Sequence, residues 1–311
     1  MKIFFNEFIK SSTWGGGVNF LNNFVAFLRE KGHEIVFRLG KNIDVIFILS
    51  NSRVQYKKKT KGIFKYKKKT PDVKVLHRIN VSDISKNTNN VNKLVFKSNE
   101  IADETVFISN WLADYYIDNG FNKPYQVIYN GCNPEYFYPE KDKEIGKKIN
   151  LVTHHWSSNW MKGFDIYVEL DKILDSRDDI TFSYIGRYND SYNPKNTQII
   201  PPLYGKKLGD ELRKYDIYTT AARWEGGGMH HIEGARCGLP VLYHGDGGGI
   251  KESCKNYGIE YYNIESLLEG INKIKDNYQE FRNNIKYDFL SSKRCNEDYY
   301  KVILDLMENK G

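Results

Sequence analysis

The chain of 311 residues contains no run of about 18 apolar residues, so we expect no segment that spans a membrane. Its start, MKIFFNEFI, lacks the long apolar core and the cleavage site of a signal peptide. Its 4 cysteines are scattered and form no CxxC pair, which argues against a disulfide framework or a zinc site and favours a reducing compartment. These absences predict a cytoplasmic protein.

Acidic residues are missing from one segment, residues 53–69, which holds nine lysines and arginines. The net charge is +7, so the basic character of the chain comes from this segment alone. The segment is either a solvated insertion or a surface for an anionic partner, such as a phospholipid surface, a lipid-linked diphosphate or an acidic glycan. We expect no nucleic-acid partner, because no other part of the chain resembles a base-stacking module.

Segments typical of strands and helices alternate along the chain, which predicts an α/β fold of parallel βαβ units. The length suits two domains, and a charged stretch at 139–148 interrupts the pattern between them. We expect Rossmann-like domains over residues 1–146 and 147–311 with a cleft between them. The last helix, at about 296–309, is expected to cross back to the first domain.

The stretch TAARWEGGGMHHIEGARCGLPVLYHGDGGG, residues 220–249, predicts a strand, a glycine loop, a helix, a second strand and a second glycine loop. Glycines let a ligand approach the backbone, and the N–H groups at a helix start favour a phosphate. Glu225 and Glu233 lie on the loop and in the helix, where carboxylates can accept hydrogen bonds from hydroxyls. This arrangement suits a phosphate flanked by sugar hydroxyls.

Four blocks resemble the retaining glycosyltransferases of family 4, which have the GT-B fold of two Rossmann-like parallel-sheet domains facing across a cleft. The blocks are the glycine turn at 15–17, the pair ADETVFISNWLADYYIDNG and VIYNGCNPEYFYP, the segment THHWSSNWMKGFDIYVELD, and the E-x₇-E spacing of Glu225 and Glu233 with the following GGGIKE. The resemblance implies transfer of a sugar from a nucleotide-sugar donor to a hydroxyl of a glycan or glycolipid, with retention of anomeric configuration.

The resemblance also implies roles for individual residues. Glu225 is expected to contact the donor sugar, Glu233 the ribose, and Lys162 the departing diphosphate. With a lysine and a helix terminus for the diphosphate, neither a metal nor a cofactor besides the donor is expected. Further donor contacts are expected from the glycine loops and the helix start: Gly15, Gly16, Gly17, Gly227, Gly228, Met229 and His230.

One departure concerns an arginine that the family usually places about six residues before the lysine, where this chain has His154-His155-Trp156. Arg187 and Arg223 are the candidates to replace its charge, although Arg187 could instead stack on the base and Arg223 could be a surface residue. In the first domain, His77 either approaches the reacting sugar from the acceptor side or is a structural histidine.

Two alternatives to a transferase stay open. The same architecture serves nucleotide-sugar epimerases and glycan phosphorylases. The missing arginine also leaves open a degenerate, non-catalytic protein that binds a glycan or a nucleotide-sugar.

Overall fold

A computed structural model describes residues 1–9, 15–49 and 60–308. Its contacts divide the chain into two units, and each is an α/β unit with its own parallel sheet. The first unit comprises Met1–Asn130 and Ser292–Gly311, and the second comprises Gly131–Ser291. In the described part of the chain, no helix has both the length and the apolar character needed to cross a bilayer.

The sheet of the first unit has six parallel strands in the order β2-β1-β3-β4-β5-β6. The strands are β1 (Lys2–Phe5), β2 (Glu34–Val36), β3 (Val45–Ile48), β4 (Lys74–Ile79), β5 (Glu104–Phe107) and β6 (Gln126–Val127). Strand β3, with the sequence VIFI, is buried at every position, as expected for a central parallel strand covered on both faces.

The helices of the first unit are α1 (Gly16–Glu30), α2 (Lys61–Lys69), α3 (Asp83–Lys86), α4 (Val91–Asn99), α5 (Asn110–Asp118) and α12 (Ser292–Glu308). Phe20 and Phe24 recur at helical spacing in α1 and face the core. There Phe20 packs against Tyr299 of α12, with ring centroids 4.9 Å apart, and Phe24 packs against Phe47 of β3 at 5.6 Å. Helix α12 is therefore part of the core of the first unit.

The sheet of the second unit has six parallel strands in the order β12-β11-β10-β7-β8-β9. They are β7 (Ile149–His155), β8 (Ile180–Gly186), β9 (Gln198–Ile200), β10 (Ile217–Thr220), β11 (Val241–His244) and β12 (Gly258–Tyr261). Its helices are α6 (Phe164–Leu174), α7 (Gly205–Leu212), α8 (His230–Arg236), α9 (Gly249–Cys254), α10 (Ile264–Asp276) and α11 (Tyr278–Asn283), with a 3₁₀ turn at Trp160–Lys162. The two sheets agree with the α/β class expected from the sequence.

The boundary between the units falls at Asn130/Gly131 rather than at 146/147. The reason is that residues 131–146 pack on the second unit. Phe137 belongs to a core cluster of that unit, and the Arg213 guanidinium donates to the Tyr136 carbonyl at 3.0 Å. The stretch at 139–148 is likewise attached there, since Lys143 Nζ donates to the Arg213 carbonyl at 2.7 Å. The last helix, α12, starts at Ser292 and belongs to the first unit.

The basic segment contains a helix that the sequence patterns did not predict. Residues 61–69 form α2, with Ile63 buried, and Lys67 Nζ bonds both the Val73 carbonyl (2.6 Å) and the Asp103 carboxylate (2.9 Å). Residues 53–59 of the segment lie outside the described residues. The lysine-rich composition gave no helical pattern, because α2 is held by the packing of Ile63 and Tyr66 on a core cluster and by the bonds of Lys67.

Candidate active site

The order of strands in the second sheet reverses between β7 and β10. From β7 the chain moves outward through β8 and β9, and it then returns to the other side of β7 through β10, β11 and β12. Strands β7 and β10 pair in parallel, with Leu151 opposite Ile217. Ligands of such sheets bind outside the carboxyl ends of the strands at the point of reversal. The loops after β7 and β10 are therefore the candidate site.

Gly163 holds the loop after β7 against the end of β10. It follows the 3₁₀ turn Trp160–Lys162 and has φ of +88°. A Cβ at this position would lie 2.2 Å from the Cβ of Ala221 and 2.3 Å from its carbonyl oxygen. Only glycine permits both this approach and this backbone conformation at low cost. The turn that carries Lys162 is thereby fixed beside β10.

Lys162 and Glu225 form an ion pair across the two loops, in which the ammonium group donates to Oε1 of the carboxylate. The two side chains are 15% and 18% exposed, so both groups are mostly buried and a ligand can still reach them. Two residues expected to act on the donor, 63 positions apart, thus lie in direct contact.

The backbone around Glu225 is fixed by the loop that follows β11. Trp224, with φ of +52°, donates its N–H to the Asp246 carbonyl at 2.7 Å. The Glu225 carbonyl accepts a bond from the Gly249 N–H at 2.8 Å, and Glu225 forms a parallel bridge with Gly248. The two predicted glycine loops therefore support each other, which orients Glu225 before any ligand arrives.

The ring of His230 packs directly under the glycine loop. A Cβ on Gly228 would lie 2.6 Å from Cε1 of His230. His230 is buried, with Nε2 at 2.9 Å from the Thr220 hydroxyl, and burial lowers its pKa well below the usual value. In this position His230 supports the loop backbone as a neutral ring, next to Met229, which is also buried.

His231, the second residue of the pair, is completely buried. Within the described part of the chain, neither of its ring nitrogens has a hydrogen-bond partner, and burial lowers its pKa to about 3. Protonation of this ring would place a charge in the interior without hydrogen-bonded compensation. His231 is therefore neutral near pH 7.

Glu233 lies in the interior with 3% of its side chain exposed, and Oε2 is 2.7 Å from Nε2 of His154. The sequence predicted Glu233 as a site residue, but it did not predict its contact with His154. The available signal was His154-His155 at the position where an arginine was expected.

The His155 ring does not supply the charge of the expected arginine in this structure. His155 is buried and contacts the Tyr167 hydroxyl at 3.0 Å, and burial lowers its pKa well below the usual value. Arg223 donates two bonds to Asp165, at 2.8 and 2.6 Å, so a carboxylate already neutralises its charge. Arg187 directly follows β8 at the carboxyl edge of the sheet, and its side chain is exposed.

The remaining predicted site residues belong to the first unit. Gly15 and Gly16 begin helix α1, Gly15 with φ of +91°, and a Cβ on Gly17 would lie 3.5 Å from Nδ2 of Asn80. His77 is completely buried in β4, where Nδ1 contacts Nδ2 of Asn99 at 3.0 Å, and burial lowers its pKa to about 3. In the conformation described, His77 is a neutral interior residue.

Comparison with known families finds a likeness in the second unit. Residues 141–288 match the family model described as glycosyl transferases group 1. The matched segment lies entirely within Gly131–Ser291 and includes the loops that carry Lys162, Glu225 and Glu233.

A curated protein similar to this chain is the uncharacterized glycosyltransferase MJ1178 of Methanocaldococcus jannaschii. It is 29% identical over 150 residues, which are 45% of this chain. The match covers 40% of the length of that protein.

Solved structures resemble the whole chain at low sequence identity. Anabaena Alr3699/HepE in complex with UDP-glucose is 14% identical with a TM-score of 0.72, covering 98% of this chain and 100% of that one. Sucrose-phosphate synthase from Thermosynechococcus elongatus is 12% identical with a TM-score of 0.73, covering 99% of each chain. A glycosyltransferase from Rickettsia africae ESF-5 is 16% identical with a TM-score of 0.70, again covering 99% of each. These likenesses confirm the GT-B fold.

Proposed function

We propose that the protein transfers a sugar from a nucleotide-sugar to a hydroxyl of a glycan or glycolipid, with retention of anomeric configuration and without a metal ion. The proposal rests on the contact between Lys162 and Glu225. This contact lies where the strand order reverses, within the segment that matches the group 1 family model. A lysine suited to a diphosphate and a carboxylate suited to sugar hydroxyls meet where a nucleotide-sugar would present both groups.

Glu225 and the glycine loop would hold the donor sugar. The carboxylate is an acceptor for two sugar hydroxyls, and its backbone is fixed on both sides by the loop after β11. Backbone N–H groups of Gly227, Gly228 and Met229 would face the sugar and the diphosphate. Such fixed donors need little reorganisation when charge develops on the leaving group.

Lys162 would release Glu225 when the donor binds and turn to the diphosphate. In a front-face displacement, the acceptor oxygen bonds to the anomeric carbon on the side from which the diphosphate leaves. The bond between that carbon and the phosphate oxygen breaks, and the acceptor proton passes to the departing phosphate. The lysine then stabilises the negative charge that grows on the leaving group, without a metal.

Arg187 is the second cation that we propose for the diphosphate, because it directly follows β8 at the carboxyl edge of the sheet and its side chain is exposed. We expect Arg187→Ala to lower kcat/KM by about 10-fold or more with an unchanged Tm, since a lost charge contact costs about 1.5–3 kcal/mol. Arg223→Ala should mainly lower Tm, because it leaves the half-buried Asp165 without its partner. Kinetics and thermal unfolding of both variants test this assignment. It fails if Arg223→Ala, at unchanged Tm, impairs transfer more than Arg187→Ala does.

The acceptor side would include helix α2, whose exposed lysines form a basic surface: Lys61, Lys65, Lys68 and Lys69. We propose that this surface attracts an anionic membrane that carries the acceptor, at about 1 kcal/mol for each lysine. Vesicles of phosphatidylglycerol should bind the protein, and vesicles of phosphatidylcholine should not. The triple change Lys65→Gln, Lys68→Gln and Lys69→Gln should weaken binding by about 100-fold. Equal binding by the triple variant and the wild type would exclude this surface.

The central experiment is a thermal-shift screen with UDP-, GDP-, ADP- and dTDP-sugars, followed by product analysis. A donor at 100 times its Kd should stabilise the protein by about 2.7 kcal/mol. The stabilising donor is then incubated with and without glycan and glycolipid acceptors, in the presence of EDTA. NMR of the product should show the anomeric configuration of the donor. Conversion of the donor sugar without an acceptor would instead identify an epimerase, and binding without turnover over a broad acceptor panel would identify a non-catalytic protein.

A further inference from the structure

Glu233 is held in the interior by a chain of hydrogen bonds. Its exposure is 3%, and Oε2 is 2.7 Å from Nε2 of His154, which is itself 3% exposed at the side chain. A buried carboxylate needs a donor that points at it, because an unsatisfied charge inside a protein is costly. The Nε2 of His154 meets this need only when it carries the ring proton.

Tyr218 holds the ring of His154 from the side opposite Glu233. Its hydroxyl oxygen is 3.1 Å from the backbone nitrogen of His154, 3.1 Å from Nδ1 and 3.4 Å from the carbonyl oxygen of the same residue. The hydroxyl accepts the backbone N–H bond and shares a second bond with Nδ1. Whichever of the two atoms donates in that bond, it fixes the ring with Nε2 directed at Glu233.

The same tyrosine also packs against the helix that carries Glu233. A Cβ on Gly234 would lie 2.3 Å from Cδ2 of Tyr218, so glycine is required beside the ring. Tyr218 lies in β10 and is completely buried. One side chain therefore fixes both the position of α8 and the orientation of the histidine that contacts Glu233.

We propose that Tyr218 and His154 are positioning residues that orient Glu233 toward the ribose hydroxyls of the nucleotide. This inference rests on the proposed function, in which Glu233 accepts those hydroxyls. A carboxylate has about four acceptor positions, so the His154 bond is compatible with hydroxyl ligands. Without the Tyr218 hydroxyl, the His154 ring loses the bond at Nδ1 and can rotate, so that Nε2 no longer holds Glu233 in place.

The test uses nucleotide affinity, which requires no knowledge of the acceptor. UDP, ADP and GDP are each titrated into the protein by calorimetry, and the tightest is compared with its 2′,3′-dideoxy counterpart. The wild type should prefer the ribose form by about 10-fold or more, as expected for hydroxyl bonds to a carboxylate. Tyr218→Phe and the reference variant Glu233→Gln should reduce this preference to about 3-fold or less. In both variants the affinity for the dideoxy form should not change.

Tyr257→Phe is the matched control, because Tyr257 is buried in the same core cluster as Tyr218 and its hydroxyl contacts Cys254 instead. It should keep the full ribose preference. A second comparison uses His154→Gln, since an amide N–H can reach Glu233 but has no ring nitrogen for the Tyr218 hydroxyl to hold. In that background, adding Tyr218→Phe should change the preference by less than about 2-fold, because the tyrosine acts through the histidine.

The outcomes separate this inference from the proposed function. If none of the three nucleotides binds the wild type, this inference fails, and the thermal-shift screen with the four donor classes decides the proposed function. If Glu233→Gln removes the ribose preference and Tyr218→Phe retains it, the positioning role fails and the proposed function stands. Equal effects of Tyr218→Phe in the two backgrounds would also overturn it. A loss of affinity that is the same for the ribose and dideoxy forms would show a merely structural role for the tyrosine.

Discussion

Replacing Glu225 by glutamine should lower kcat/KM by at least about 100-fold, which corresponds to about 2.7 kcal/mol of lost transition-state stabilisation. The amide keeps the shape of the side chain but presents two N–H donors where the carboxylate presents only acceptors. Sugar hydroxyls that donate to Glu225 would then lose one partner, and Lys162 would lose its counter-charge. Steady-state kinetics with the donor and acceptor found by the screen measure the loss.

Glu169→Gln is the control for this change. Glu169 lies on α6 of the same unit and is exposed, so the substitution makes the same change in charge away from the strand reversal. Its kinetics should match those of the wild type, and the Tm of Glu225→Gln should stay within a few degrees of the wild-type value. Normal turnover by Glu225→Gln would remove the basis of the proposed donor site.

Acidification from pH 7.5 to pH 5 should destabilise the protein by about 4 kcal/mol through two histidines alone. Burial lowers the pKa of His77 and of His231 to about 3, whereas the rings titrate near 6.5 in the unfolded chain. The unfolded state therefore binds protons between pH 6.5 and 3, and the folded state does not. The stability that these rings contribute is present above pH 6.5 and is lost as the pH falls, by about 2 kcal/mol for each ring at pH 5.

Thermal unfolding at the two pH values measures this loss, which should lower Tm by about 6 °C or more. The charged neighbours of the two rings differ, Lys123 near His77 and Glu225 near His231, but burial dominates in both. His231→Gln should reduce the loss of stability between pH 7.5 and pH 5 by about 2 kcal/mol, the contribution of one ring. His33→Gln should change it less, because His33 is only partly buried. An equal Tm at both pH values would contradict the neutral state of the buried rings.

The elements with clear local patterns were predictable from the sequence. Strand β3 is a short run of β-branched and aromatic residues, and α1 carries phenylalanines at helical spacing. The glycine loops and the spacing of Glu225 and Glu233 indicated a nucleotide-sugar site. The sequence also marked Gly163 beside Lys162. The steric requirement for glycine there comes from the Cβ of Ala221, which only the structure places next to it.

Other parts depended on contacts between distant residues and left no local pattern. His154 and Glu233 are 79 positions apart, so no spacing rule connects them. The helix at 61–69 is rich in lysine and is anchored by bonds from Lys67 to Val73 and Asp103. The pairing of Arg223 with Asp165 is of the same kind, since the two residues are 58 positions apart.

The membership of α12 in the first unit has a consequence for biosynthesis. The aromatic core around Phe20 and Phe24 needs Tyr299, which the ribosome adds only after all of Gly131–Ser291 has been made. Translation proceeds at about 5–20 residues per second. Part of the core of the nascent first unit therefore stays exposed for a time on the order of 10–30 s, until α12 has been made. The second unit is continuous in sequence and can complete its contacts during this interval. The N-terminal part of the chain is therefore the segment that most needs protection by chaperones during translation.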